Sequence, residues 1–344
     1  MIQTRVAMYY RNSDVRLQEM SQPEVGSGEI LVKIIASGIC GSDVMEWYRV
    51  KKAPLVLGHE IAGDIEEIGE DVDRWKIDDR VVVTHHVPCN TCKYCLSGHH
   101  SVCETLRKTN FLPGGFSERV RVPEINVRYG TFLLPDDISY EEGSFVEPLG
   151  CVVRGMRLAN LIPGQTVLVL GSGIAGSLNI KMAKTLGASG IIATDVSEHR
   201  LKSARSFGAD NTLHAKDDVP KKTREITGSN GADLVIVATG AFSAFDQAIR
   251  SVDRGGTVMF FAPPKPDELV PLPVNDLWRS EVRLMTSYAA APYDLEEALK
   301  LIYSHRITVE DMITHRLPLA ETQKGFQLVE KGGESLKVVI EPQK

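Results

Sequence analysis

The segment Thr166-Val-Leu-Val-Leu-Gly-Ser-Gly-Ile-Ala-Gly176 is the clearest indication of the fold of this chain. Its first five residues form an apolar run typical of a buried strand, and its glycines follow the spacing Gly-x-Gly-x-x-Gly before a helical pattern. In that spacing the first glycine permits a tight turn, the second lets the backbone approach a pyrophosphate, and the third lets helix and strand pack closely. The N–H groups at the helix N-terminus would then bind the phosphates. The candidate nucleotide-binding residues are Gly171, Gly173, Ile174, Ala175 and Gly176.

An acidic residue follows at the place that a dinucleotide site requires. Asp195 comes 19 residues after Gly176, at the end of the next predicted strand, where its carboxylate would accept hydrogen bonds from the adenosine ribose. Because a carboxylate repels a 2′-phosphate, Asp195 favours NAD over NADP as the cofactor. A helix cap is the alternative role, since Asp195–Ser197 precedes a helical segment. Arg200 would either stack on the adenine or lie on a solvated helix face.

The pattern of the chain changes near residue 154. After this point apolar runs alternate with helix-length amphipathic segments, which predicts a doubly wound parallel sheet. Before it, short β-branched runs such as Ile30–Ile35 and Arg80–Thr84 are separated by Gly, Pro and Asp, which predicts a β-rich region. The expected fold class is α/β with a second, β-rich domain. The predicted strands of the parallel sheet are Thr166–Leu170, Ile191–Thr194, Asp233–Ala238 and Thr257–Ala262, followed by a strand at Glu281–Thr286, a helix at Asp294–Tyr303 and short strands from about residue 305.

Composition limits the classes of function. A length of 344 residues suggests about two domains, and a formal net charge of −6 provides no basic field, so we expect no nucleic-acid partner. No apolar run reaches the ~18 residues that span a bilayer, and the opening Met1–Tyr10 lacks the pattern of an export signal. The cysteines cluster as metal ligands do, which suits a reducing compartment. We therefore expect a cytoplasmic protein with no membrane partner.

Four cysteines lie close together in one loop. They are Cys89, Cys92, Cys95 and Cys103. Their spacing, C-x2-C-x2-C-x7-C, is short enough for the loop to surround a tetrahedral ion, and four thiolates leave no coordination position open. The loop therefore predicts a structural zinc that stabilises part of the β-rich region. A nucleic-acid finger would need a more basic helix after the ligands, and an iron–sulfur cluster would need a different spacing.

A second set of potential metal ligands is scattered through the β-rich region. Cys40 lies in Gly38-Ile-Cys-Gly-Ser-Asp43, His59 and Glu60 lie in Gly58-His-Glu60, and Glu147 lies in Phe145-Val-Glu-Pro-Leu149. Three such ligands plus one open position form the arrangement of a catalytic zinc. Taken singly, each has an ordinary explanation, as a buried thiol, a core histidine or a capping residue. Sequence distance alone does not group them.

Taken together, these segments resemble the zinc-dependent medium-chain dehydrogenase/reductase family almost from end to end. The segments Glu147–Leu149 and Asp195–Leu201 are most similar to the sorbitol and threonine dehydrogenase branch. The resemblance implies a GroES-like, zinc-binding catalytic domain at residues 1–153 and 288–344. It implies a Rossmann domain that binds NAD at residues 154–287.

The resemblance also implies roles for individual residues. The implied ligands of the catalytic zinc are Cys40 and His59, with Glu60 or Glu147 completing the shell. Asp43 would accept a hydrogen bond from the ring N–H of His59 and so fix its tautomer. Ser42 would take the substrate proton as the first member of a relay. A turn-forming hydroxyl is the alternative for Ser42.

Two positions depart from the family pattern. Related enzymes often carry a histidine three residues after Ser42, whereas this chain has Met45, which leaves the outer proton route to water or ribose hydroxyls. Sorbitol-type enzymes also carry an Arg-Tyr pair after the strand near residue 285, where this chain has Ser287-Tyr-Ala-Ala290. We therefore expect a pocket that prefers a less hydroxylated alcohol.

The resemblance predicts an enzyme that transfers a hydride between a secondary alcohol or polyol and NAD, with one catalytic and one structural zinc. A threonine or amino-alcohol dehydrogenase would use the same metal site. A non-catalytic NAD-binding protein would retain only the structural zinc, but ionisable groups are costly to bury without partners, and the intact ligand set argues against that alternative. Relatives are often homodimers or homotetramers, and we expect a homo-oligomer here.

Overall fold

A computed structural model of the chain describes residues 2–228 and 230–344. The chain divides into two compact units, Met1–Gly150 with Ala289–Lys344, and Cys151–Tyr288. The first unit is therefore discontinuous in sequence, whereas the second is one uninterrupted segment.

The secondary structure elements are numbered in chain order. The strands are β1 (Gln3–Arg11), β2 (Asp14–Ser21), β3 (Ile30–Gly38), β4 (Leu55–Val56), β5 (Glu60–Ile68), β6 (Arg80–Thr84), β7 (Arg119–Val122), β8 (Thr131–Leu133), β9 (Thr166–Leu170), β10 (Gly190–Asp195), β11 (Asn211–His214), β12 (Ala232–Val237), β13 (Val252–Phe260), β14 (Arg283–Thr286), β15 (Ile313–Pro318) and β16 (Lys337–Glu341). The α-helices are α1 (Glu46–Arg49), α2 (Lys93–Leu96), α3 (Glu104–Lys108), α4 (Glu124–Tyr129), α5 (Tyr140–Gly143), α6 (Val146–Ala159), α7 (Ile174–Thr185), α8 (Glu198–Phe207), α9 (Val219–Thr227), α10 (Phe242–Ser251), α11 (Val274–Arg279), α12 (Pro292–Tyr303) and α13 (Thr322–Lys331). Single 3₁₀ turns lie at Val50–Lys52, His100–Val102, Glu310–Met312 and Leu319–Glu321. Within the described residues, no helix combines the length and apolar character needed to cross a membrane.

The second unit is built on a six-stranded parallel sheet with the order β11-β10-β9-β12-β13-β14. Numbered within the unit, this order is 3-2-1-4-5-6, that of a doubly wound, dinucleotide-binding sheet. Strand β9 lies in the middle, between β10 and β12, and its residues 167–170 are fully buried. A strand buried on both faces needs no polar alternation, which explains its continuous apolar run. The predicted parallel sheet is confirmed.

The first unit contains two sheets. One has the order β2-β1-β4, and the other has the order β15-β16-β3-β5-β6-β8, with β7 also paired to β3. Strand β3 runs antiparallel to β5, with Gly38 opposite Glu60. The same end of β3 pairs with β16, where Ser37 lies opposite Ile340. Three distant parts of the chain therefore meet where β3 ends.

Some elements differ from the sequence prediction. The sequence did not predict α6 or α13. Helix α6 contains Pro148 and two interior glycines, which are residues that disfavour a helix. It forms nevertheless, because Pro148 lies in the first turn, where a missing N–H is tolerated. Helix α13 lies in the tail, where only short strands are predicted, and it packs the Phe326 ring 5.7 Å from that of Tyr9. Strand β13 begins at Val252 rather than at Thr257, because two glycines interrupt its apolar pattern.

Candidate active site

The end of β3 and the start of β5 form the candidate metal centre. Because the two strands are antiparallel with Gly38 opposite Glu60, the chain leaving β3 places Cys40 beside His59 and Glu60. The Cys40 sulfur, one His59 nitrogen and one Glu60 carboxylate oxygen all lie within 4.8 Å of one another. His59 is 8% exposed and Glu60 is 1% exposed. A thiolate, an imidazole and a carboxylate at these distances fit a zinc ion with a fourth position open.

Asp43 lies directly behind the histidine of this group. Its buried carboxylate has one oxygen 3.4 Å from His59 Nδ1, and the other accepts a hydrogen bond from the Cys40 N–H at 3.1 Å. Burial opposes the charged form of Asp43, but His59 and Arg49 keep the pKa of its carboxyl below the ordinary value. Burial also opposes the charged form of His59, but Asp43 and the Cys40 thiol raise its pKa well above the ordinary value. This contact suits a carboxylate that fixes the histidine tautomer and leaves the other ring nitrogen for a metal.

Glu60 has a buried cationic partner. Lys337, the first residue of β16, forms an ion pair with Glu60, and its side chain is 0% exposed. The Lys337 ammonium also lies 5.3 Å from the centre of the Phe145 ring. A carboxylate has two oxygens, so Glu60 can pair with Lys337 through one and face a metal with the other. Lys337 stands 277 residues from Glu60, and no local sequence pattern indicates this pair.

Ser42 lies in the turn that follows Cys40, and its N–H donates to the Cys40 sulfur at 3.4 Å. Arg49, at the end of α1, donates from Nε to the Ser42 carbonyl at 2.9 Å and from Nη2 to the Ser42 hydroxyl at 3.0 Å. The same Nη2 lies 3.6 Å from the Asp43 carboxylate. Met45, where relatives often have a histidine, is the residue before α1. The sequence does not indicate Arg49, because an arginine seven residues after a serine carries no recognised spacing.

Glu147 is the other carboxylate that was expected to complete the shell. It occupies the first turn of α6 and is 9% exposed. Among the described residues, the cluster of close ligand atoms contains Cys40, His59 and Glu60 but not Glu147. Of the two carboxylates that were expected to complete the shell, the structure therefore brings Glu60 to it.

Two further histidines, directly after β6, stack beside His59 of the candidate metal centre. The ring centres of His59 and His85 are 4.7 Å apart, and those of His85 and His86 are 3.6 Å apart. Burial lowers the pKa of His85 well below the ordinary value. Burial, with the charges of His59 and Arg49, lowers the pKa of His86 to about 3. The rings of His85 and His86 are thus neutral near pH 7. Neither histidine was among the residues expected at the site, although a His-His pair just before the cysteine loop is a signal that the sequence offers.

The four cysteines of the loop converge on one point. All four sulfur atoms lie within 4.8 Å of one another. Hydrogen bonds from the backbone and side chain of Thr91 and from the Cys92 N–H lower the pKa of Cys89 to about 5, which favours its thiolate. None of the six cysteines forms a disulfide bond. Four sulfur donors at these distances fit a tetrahedral zinc ion with no open position.

Strand β9 and helix α7 present the glycine turn. Gly171 has a φ of +92°, which favours glycine, and a Cβ on Gly176 would lie 1.8 Å from the Gly171 carbonyl oxygen. Helix α7 begins at Ile174, and its N-cap residue Gly173 makes no side-chain cap. The N–H groups of its first turn, which includes Ala175, are therefore not taken by a capping side chain, as an anion site requires.

Asp195 ends β10 and faces this turn. One carboxylate oxygen accepts from the Ser172 N–H and the other from the Ser197 N–H, each at 2.9 Å. The N-cap residue of α8 is Ser197, so the capping role considered for Asp195 is wrong. Arg200 is half-buried, and its Nη1 would lie 3.7 Å from a Cβ on Gly173, which places the guanidinium over the glycine turn rather than on a solvated face.

Comparison with known proteins agrees with this architecture. The family model described as an alcohol dehydrogenase GroES-like domain matches residues 26–131, and the model described as a zinc-binding dehydrogenase matches residues 175–304. A sorbitol dehydrogenase of Bombyx mori is 32% identical, with 100% of both chains covered.

Two solved structures are also similar along nearly the whole chain. The 2R,3R-butanediol dehydrogenase of Bacillus subtilis is 27% identical with a TM-score of 0.86, covering 98% of this chain and 99% of its own. A chain described as a zinc-binding dehydrogenase of Sinorhizobium meliloti, bound to NADP, is 26% identical with a TM-score of 0.88, covering 99% and 100%.

Proposed function

The chain belongs to the zinc-dependent medium-chain dehydrogenase/reductase family, in its sorbitol dehydrogenase-like branch, and from this membership we propose that it is an NAD-dependent dehydrogenase of secondary alcohols or polyols. The reaction removes a hydride from a carbinol carbon and a proton from its oxygen, giving a ketone, NADH and a proton. The similar proteins named above act, by their names, on sorbitol and butanediol, both of which carry secondary hydroxyls.

One observation carries the proposal: three different ligand types, from Cys40, His59 and Glu60, meet in one buried place. These three residues would hold the catalytic zinc, and Glu147 would not be a ligand in the arrangement described here. Zinc held by three protein ligands supplies Lewis acidity, which makes an alcohol easier to deprotonate. The cysteine loop would hold a second zinc with a structural role, because its four thiolates leave no position for a substrate.

Two residues next to these ligands would handle orientation and the proton. Asp43 would hold His59 in one tautomer through the contact at Nδ1. Ser42 would receive the proton of the reacting hydroxyl, and its N–H contact with the Cys40 sulfur supports this role because it keeps the residue next to the ligands. With Met45 in the position of the usual histidine, the proton would leave Ser42 through water or ribose hydroxyls.

We propose NAD as the cofactor, bound at the glycine turn, where it supplies the hydride acceptor. The Asp195 carboxylate supports this choice, since a negative charge there disfavours a 2′-phosphate. Arg200, over the turn, would contribute positive charge near the pyrophosphate. The NADP in the Sinorhizobium meliloti structure makes a direct comparison of both cofactors necessary. Because Ser287–Ala290 replaces the arginine of sorbitol-type pockets, we expect less hydroxylated alcohols to be better substrates than hexitols.

The test is a substrate panel combined with metal analysis. Purified, zinc-replete protein would be assayed with secondary alcohols, diols, sugar alcohols and amino alcohols, each with NAD and with NADP. We expect turnover that is faster with NAD, and about two zinc ions per chain. Cys40→Ser should remove activity and one zinc without unfolding the protein, while Cys151→Ser, at the cysteine outside both ligand sets, should change neither. Absence of turnover together with absence of cofactor binding would end the proposal, and one zinc without turnover would favour a non-catalytic protein.

We further propose a cytoplasmic homodimer or homotetramer. Six cysteines without a disulfide bond support a reducing compartment. Strand β14 is an edge strand of its sheet, and the adjacent Val274 and Trp278 side chains are 67% and 74% exposed, which supports association through that edge. Light scattering would measure the oligomeric state of the wild type and of Trp278→Glu, in which association through this edge should weaken. A monomeric wild type would contradict the proposal.

A further inference from the structure

We propose that Arg49 is a positioning residue for the reaction, acting through Ser42. This inference rests on the proposed function, since it assigns a role to a side chain that supports the proton-accepting hydroxyl. Arg49 belongs to none of the motifs that define the ligand set, and its importance follows only from its contacts.

The guanidinium of Arg49 holds Ser42 at two points. Its Nε donates to the backbone carbonyl and its Nη2 to the hydroxyl of the same residue, at 2.9 and 3.0 Å. A planar guanidinium presents these donors in fixed geometry, so the two bonds together fix both the turn and the side-chain rotamer. Because arginine only donates, the Ser42 oxygen accepts here, and the hydroxyl hydrogen is left to point elsewhere.

The arginine is itself held in place from two other sides. Its side chain is 16% exposed, and its Nη2 lies 3.6 Å from the fully buried carboxylate of Asp43. Its Cζ lies 4.8 Å from the centre of the Tyr48 ring, a cation–π distance. A cation fixed by a buried carboxylate and an aromatic ring loses little conformational freedom when it binds Ser42. This arrangement therefore holds the Ser42 hydroxyl in one position.

The primary test compares Arg49→Met with a variant of equal charge change. Lys51→Met removes a cation from an exposed position two residues further along the chain. We expect Arg49→Met to lower kcat about 10- to 100-fold, as expected for loss of hydrogen bonds from a charged group, with the KM for NAD unchanged. Lys51→Met should remain within about twofold of wild type. Arg49→Lys, which keeps the charge but not the paired donors, should fall between the two.

A double-mutant cycle separates action through Ser42 from a general effect. In a Ser42→Ala background, Arg49→Met should lower kcat by less than about threefold, because the hydroxyl it positions is already gone. Added guanidinium should restore part of the activity of Arg49→Met. A crystal structure of Arg49→Met should show the Ser42 hydroxyl in another rotamer, which is a readout independent of activity.

Several outcomes would overturn the inference. A full additional loss in the Ser42→Ala background would place the action of Arg49 elsewhere, and an unchanged Ser42 rotamer would remove its structural basis. A zinc content below wild type in Arg49→Met would mean that the arginine supports the ligands instead. If the wild type oxidises alcohols but Arg49→Met behaves like Lys51→Met, only this inference fails. If the wild type oxidises none, the proposed function fails and this inference falls with it.

Discussion

Replacing Lys337 with methionine should destabilise the first unit, because it leaves the Glu60 carboxylate buried without its cation. The two side chains are 0% and 1% exposed. Removing one partner of a buried ion pair costs about 3–5 kcal/mol, and methionine keeps most of the apolar stem of the lysine. For a unit of about 200 residues, each kcal/mol lowers the Tm by about 2–4 °C. The expected drop in Tm is therefore roughly 6–20 °C.

Thermal unfolding of zinc-depleted protein, followed by circular dichroism, measures this drop. Lys344→Met is the matched control, since Lys344 pairs with Glu341 at 2.7 Å but is 67% exposed, and its loss should cost less than about 1 kcal/mol. Adding Glu60→Gln to Lys337→Met should recover much of the lost stability, because no uncompensated charge then stays buried. The reasoning is refuted if Lys337→Met unfolds within about 1 kcal/mol of wild type, or if the double variant is no more stable than the single one.

Three further predictions concern other parts of the molecule. Cys103→Ser should release one zinc ion, while the second remains, and should lower the Tm. Metal analysis would measure the zinc content and calorimetry the Tm. Retention of both ions would contradict the assignment of the cysteine loop. Asp195→Asn should raise the KM for NAD about tenfold or more and the KM for NADP by less, because the group that repels a 2′-phosphate loses its charge. Steady-state kinetics would measure both values. Equal changes in the two KM values would count against the cofactor assignment. Burial and the nearby Glu46 raise the pKa of Tyr9 to about 12. The folded chain then holds this proton more tightly than the unfolded chain does. The free energy of unfolding should therefore fall by about 1.4 kcal/mol per pH unit from pH 10 to 12. Denaturant unfolding of Tyr9→Phe should not show this fall.

The features that the sequence predicted correctly are those encoded over short distances. The glycine turn after β9 requires glycines at fixed offsets, so its spacing, with the strand before it and the helix after it, located the turn. The convergence of the four cysteine sulfurs likewise follows from their spacing within one short segment. The parallel sheet was also predictable, because strands buried on both faces leave continuous apolar runs.

The features that the sequence did not predict depend on contacts between distant residues. Lys337 reaches Glu60 only because β16 pairs with the same end of β3 that lies opposite β5. Arg49 contacts Ser42 through a helix of four residues, too short to show any periodic pattern. The choice between Glu60 and Glu147 likewise required strand register, since both residues sit in equally plausible motifs.

The discontinuity of the first unit sets the order in which this protein can mature on the ribosome. By the time residue 330 has been translated, the whole second unit and every proposed metal ligand have been synthesised. Residues 337–344 then deliver β16 and Lys337 together, and until they emerge the end of β3 keeps an open edge and Glu60 lacks its counter-charge. A nascent chain released just before this point would carry all the cysteines and histidines of the candidate metal centre and still leave its carboxylate unbalanced.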